Sequence, residues 1–156
     1  MFNNFNQSSA KPDFTVAWVI IAFMVLMQGI YILVCHQFGT QIQQALSMEQ
    51  RIFIRTVFYV IAITAFPLTT LLRYILVRLN QTMPGNKSPA QRYLVTVVVA
   101  QAMMESVGIL GFIMFVLGDD FNTLYIFSGL AVLGFFLQRP KPEEYDSIVE
   151  ALQNQQ

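Results

Sequence analysis

Charge is scarce in this chain. Asp, Glu, Lys and Arg make up 12% of its residues, about half the usual share of a soluble domain. The nine acids cancel the nine bases, so there is no basic footprint for nucleic acid. A single cysteine, Cys35, excludes an internal disulfide. A single histidine, His36, excludes a histidine-built metal cluster. There is no glycine-rich phosphate loop and no zinc-ligand spacing. The lone histidine also leaves no nucleophile and base to pair. On these grounds no enzyme, metal or cofactor is expected.

What fills the chain instead is apolar. Hydrophobic residues reach 55%, with 14 Phe and 8 Met, and the mean hydropathy is +0.53. Runs of about 17 to 25 apolar residues read as transmembrane helices, and four occur. Residues 14–35 are polar in their interior only at Gln28. Residues 52–72 are bracketed by Arg55 and Arg73, which are expected to reach the lipid headgroups. Pro67 should kink this run. Residues 93–117 and 121–137 follow, the last flanked by Asp120 and Arg139.

The fold class is therefore an all-α, polytopic membrane protein. Residues 1–139 would form a four-helix membrane domain and residues 140–156 a tail. The first run follows a polar leader, residues 1–13, and is too long for a signal sequence, so it is expected to be retained. Lys11, Arg73, Arg78, Lys87, Arg92, Arg139 and Lys141 collect at one side of the membrane, against Arg51 and Arg55 at the other. The richer side should be cytoplasmic, which puts both termini inside, in a bacterial inner membrane.

Local signals refine the connections. Gly118 can stop the third helix and Asp120 can cap the fourth, so these two should form a tight hairpin. Asp119 and Asp120 read as a turn and cap. In the first external loop Ile42, Ala45 and Leu46 have helical spacing, which suits an interfacial turn. In the tail, Pro142 and two acids open a short helix. Its residues Tyr145, Ile148, Val149 and Leu152 share one apolar face. That face would lie on the membrane or on the protein's own loops, or dock a cytoplasmic partner.

Glu105 is the informative charge. It falls near the middle of the third run, where a carboxylate costs about 2.5 kcal/mol or more. It must face the bundle, find donors or carry a proton. Gln101 lies one turn before it. At about 1.5 Å per residue, Glu105, Gln28, Tyr59 and Tyr125 all fall roughly 18–21 Å from the cytoplasmic ends of their helices. A polar cluster in one layer is the expectation. Ala102, Ser106, Gly108 and Gly111 give the same helix small positions for close packing.

The stretch Met104-Glu105-Ser106-Val107-Gly108-Ile109 resembles the ion-binding helix of rotary ATPase proteolipid (c) subunits, over about 25 residues. The resemblance implies an ion- or proton-carrying Glu105 and a ligand oxygen from Ser106. The leading expectation is a non-catalytic membrane subunit that packs through its third helix against copies of itself or a larger complex. The alternatives are a proteolipid-like proton or sodium translocator and a transient assembly factor or regulator.

Overall fold

The computed structural model describes residues 14–44, 46–84 and 88–154. Among the described residues there are five helices and no strand: α1 (Thr15–Ile42), α2 (Met48–Thr82), α3 (Pro89–Val116), α4 (Phe121–Leu137) and α5 (Pro142–Gln153). Three of them, α1 to α3, are long and apolar enough to cross a membrane. The 17-residue α4 joins them as a fourth when taken with α5, from which it bends by 45°. Lys11 in the leader, and Ala45 and Lys87 in the connections, lie outside the described residues.

The helices outrun the apolar stretches that mark them. α1 continues past Cys35 to Ile42, and α2 extends from Met48 to Thr82 rather than over 52–72. Hydropathy marks where a helix meets lipid, whereas caps decide where it ends. Ser47 opens α2 by accepting from the Gln50 amide, and Ser88 opens α3 by accepting from the Gln91 amide. Where α2 ends, Arg92 Nη1 donates to the carbonyls of Asn80 (3.1 Å) and Met83 (2.6 Å). Asn80 returns bonds to the Arg92 carbonyl and Thr96. At Pro67 the helix runs on without the amide that would bond the Ile63 carbonyl.

α3 is the axis of the bundle. It packs most extensively on α4, then on α2 and α1, while the backbones of α1 and α2 do not approach each other among the described residues. The turn into α4 is a Schellman motif: Gly118 adopts φ 93°, its amide donates to the Phe115 carbonyl, and the Asp119 amide donates to the Met114 carbonyl. Asp120 then caps α4 by accepting from the Thr123 amide at 3.0 Å. Met104 and Val107 of α3 meet Phe127, Ala131 and Phe135 of α4, with Ile21, Ala62 and Ala65 closing the sides. Gly111 is required here, because a Cβ on it would sit 2.5 Å from the Cβ of Phe127.

The connection between α1 and α2 is not the helical turn expected of Ile42 and Leu46. After Ile42 the chain leaves the helix, and the amides of Gln44 and Leu46 donate to the Val116 and Leu117 carbonyls. The loop thereby satisfies acceptors that the end of α3 leaves open.

The tail helix folds back on the bundle. Ile148 is fully buried, and Tyr145 and Leu152 pack beside it on Ala17, Val77, Tyr93 and Val97. Val149 is half-buried. The apolar face of α5 is thus largely covered by α1, α2 and α3 of the same chain.

Candidate functional site

Three polar layers stack along the bundle. At the end that holds the α3–α4 turn, Arg55 on α2 forms an ion pair with the buried Asp119 at 3.0 Å. Arg51, one turn earlier, donates to the Gly118 carbonyl at 2.7 Å, and Gln43 donates to the Asp119 carbonyl at 2.9 Å. Asp119 therefore does more than turn the chain: it ties α2 to the α3–α4 hairpin. Nearby, His36 stacks on Phe121 (centroids 4.5 Å apart) and shares a 2.7 Å hydrogen bond with the Tyr125 hydroxyl.

The layer at the opposite end is the most elaborate. Arg73 is 3% exposed. It does not reach for headgroups as expected from its place at the end of an apolar run. Its Nε donates to both carboxylate oxygens of Glu144, at 3.1 and 2.9 Å, and its Nη2 donates to the Tyr93 hydroxyl and the Arg139 carbonyl. Nη1 donates to the Gln138 carbonyl. Gln101 Nε2 donates to the carbonyls of Phe135 (3.3 Å) and Gln138 (3.1 Å). These carbonyls are the ones a helix C-terminus leaves unpaired. A cation placed among them also meets the negative end of the α4 dipole. The Tyr93 hydroxyl completes the layer, accepting from the Lys141 amide at 2.6 Å and donating to the Lys141 carbonyl. So α2, α3, α4 and α5 meet on one guanidinium. The sequence signal was an arginine closing an apolar run together with an acid in the tail, but their separation in sequence hid the pairing.

Arg55 and Arg73 are eighteen residues apart on α2, which is roughly 27 Å along a helix. That matches the hydrocarbon core of a bilayer, about 30 Å. The polar layers of Arg55 and Arg73 sit where its two faces would lie.

Between them is Glu105. It is half-buried as a residue, but both carboxyl oxygens are shut from solvent and have no hydrogen-bond partner. On α1, Gln28 is 2% exposed and its amide oxygen and nitrogen are likewise unpartnered. The Gln28 amide presses against Gly108, three residues from Glu105. A Cβ on Gly108 would fall 2.1 Å from Gln28 Oε1. Tyr31, three residues beyond Gln28, places its phenol beside the Glu105 carboxyl, short of a well-formed hydrogen bond. Glu105 and Gly108 on α3 therefore face Gln28 and Tyr31 on α1.

The expected one-layer cluster forms only in part. Gln28 lies against Gly108, three residues from Glu105, without bonding it, while Tyr125 bonds His36 and Tyr59 stacks on Phe127 with centroids 4.9 Å apart. The cause is height: Met104 meets Gly134 and Gly111 meets Phe127 across the hairpin, so Tyr125 lies eight residues, roughly 12 Å, nearer the α3–α4 turn than Glu105, and Tyr59, level with Phe127, is roughly 9 Å nearer. Gln101 points to the end of α4. Ser106 is exposed, and its hydroxyl donates to the Met103 carbonyl of its own helix at 2.7 Å. The small positions divide as well. Gly108 and Gly111 are used inside the bundle, against Gln28 and Phe127. Ala102 and Ser106 face outward, on a strip with Val95, Ile109 and Ile113 that no other helix covers.

Glu105 can hold a proton or take part in a cation's coordination. Among the described residues no group of three or more His, Cys, Asp or Glu side chains could hold a metal ion. Comparison of the chain with protein-family models, with curated proteins and with solved structures finds no match.

Proposed function

We propose that this protein is a small, non-catalytic membrane subunit that packs through the outer strip of α3 against a second copy or a larger membrane complex. One observation carries the reading. α3 is the axis of the bundle, yet its Ala102 and Ser106 face is left bare between α1 and α2, whose backbones do not approach each other. Small residues four apart let a further helix approach closely in lipid. The glycines that also invited packing, Gly108 and Gly111, are already occupied. Of these four small positions on α3, Ala102 and Ser106 remain open to an external helix.

We place the end bearing Arg73, Arg78, Arg92, Arg139 and Lys141 on the cytoplasmic side of a bacterial inner membrane, by the excess of basic residues there over Arg51 and Arg55. Both termini then lie inside. Extraction in mild detergent followed by sizing and identification of what comes along tests the proposal. A species larger than a monomer is expected, and a monomer extracted alone would count against it. Loss of the larger species on dilution, with a pull-down that recovers the same partner, would point instead to a transient assembly factor.

A second reading is favoured by one feature: the unpartnered carboxyl of Glu105 beside the unpartnered amide of Gln28. A carboxyl held this way at mid-depth suits a proton or sodium site. The resemblance to proteolipid helices points the same way for Glu105. Ser106, turned to its own helix, does not add an oxygen. Carbodiimide labelling tests this reading. Labelling of Glu105, with protection by sodium if sodium binds, is the expected result. Absence of labelling, together with an unchanged phenotype for Glu105→Gln, would remove it.

A further inference from the structure

We propose that the cleft between α2, α4 and the start of α5 binds one anionic phospholipid, its headgroup at the polar layer of Arg73 and an acyl chain running toward mid-bilayer. The inference rests on reading α2 and α4 as membrane helices and is independent of what α3 packs against.

The cleft has a volume of about 430 Å³. It opens because α2 and α4 meet only sparsely. Its floor carries Arg73, Lys141 and Glu144, and its walls include Phe66, Tyr74 and Leu137. The single acid is already engaged, since Glu144 takes Arg73 at both carboxylate oxygens. Lys141 stays 49% exposed and makes only a long ion pair, at 3.9 Å, with the carboxylate that Arg73 already engages. Arg78 stacks over the ring of the wall residue Tyr74, 5.7 Å from its centroid, and bonds its hydroxyl. The cleft is thus lined by two cations, Arg73 and Lys141, against one acid, Glu144, with Arg78 beside Tyr74 as a third cation.

The order of polarity along the cleft selects a lipid over a free anion. Phe66 precedes Arg73 by seven residues on α2, which puts it roughly 10 Å deeper toward mid-bilayer. Cations stand at headgroup depth and apolar walls at acyl depth. A basic pocket between helices at the cytoplasmic face is the arrangement that recognises anionic headgroups.

The test is native mass spectrometry of the full chain in detergent. It is titrated with phosphatidylglycerol, with phosphatidylcholine of the same chains, and with inorganic phosphate. Retention of one phosphatidylglycerol in preference to phosphatidylcholine is expected. Removing one exposed cation near an anionic surface should weaken binding by about fivefold, so Arg78→Gln with Lys141→Gln should lose about 25-fold. Both side chains are exposed, so the melting temperature in phosphatidylcholine should hold. If the double variant does not fold, Lys141→Gln alone should show the fivefold loss. Equal retention of the two lipids, undiminished binding by the variants, or displacement of the lipid by millimolar phosphate would each overturn the proposal.

Discussion

The sites of Arg73 and of Glu105 treat a buried charged group in opposite ways. Around Arg73 every arm of the guanidinium finds an acceptor, and the orphan carbonyls of α4 and the carboxylate of α5 are satisfied by one residue. Around Glu105 both carboxyl oxygens and both polar atoms of Gln28 go without a partner. A satisfied network fixes geometry. An unsatisfied group costs about 1–3 kcal/mol and calls for another reason to be there. The contrast makes Arg73 an architectural residue and is the ground on which the second reading proposed above rests.

The largest effect should come from breaking the satisfied layer. Arg73→Met takes from Glu144 its bidentate partner and from the end of α4 its charged donor, and a loss of about 3–5 kcal/mol is expected. Thermal unfolding in detergent would measure it, and protease sensitivity of α5 would rise in parallel. An unchanged melting temperature would show that α5 is held by its apolar face alone. Gly111→Ala should come next, at about 1–3 kcal/mol, because its new Cβ meets the Cβ of Phe127, which cannot swing aside.

Glu105→Leu should act with the opposite sign. Removing an unpartnered buried carboxyl should raise stability, by about 1 kcal/mol, at the expense of whatever activity uses it. A clear destabilisation would mean that Glu105 is satisfied in the membrane and would erase the contrast with Arg73. The smallest effect is expected of Gly108→Ala. Its Cβ meets only the far end of Gln28, a flexible chain that can turn away, so the loss should stay below about 1 kcal/mol. The melting temperatures of the two glycine variants, compared side by side, would check that ranking.

Much of this architecture is legible in local chemistry. The stop at Gly118, the cap at Asp120 and the bounds 121–137 of α4 follow from residues within a turn of each other. So does the shared face of Tyr145, Ile148 and Leu152, which packs on the bundle. What the sequence hides is set by register, by rotation and by distant pairing. Counted from the ends of the apolar runs, Tyr125 shares the depth of Glu105, but the hairpin register sets it roughly 12 Å nearer the α3–α4 turn, where it meets His36. Arg73 looks like a headgroup anchor until α5 brings Glu144 to it. The division of the small residues, Gly108 and Gly111 inward and Ala102 and Ser106 outward, depends on where α1 and α4 settle around α3.

Cysteine cross-linking in native membranes addresses the bare strip of α3 most directly. In a Cys35→Ser background, Ala102→Cys is compared with Leu133→Cys, which is 51% exposed on α4. A short thiol cross-linker should carry Ala102→Cys into a species of higher mass while Leu133→Cys stays monomeric. Equal behaviour of the two positions, with no adduct at Ala102, would contradict a helix seated on α3.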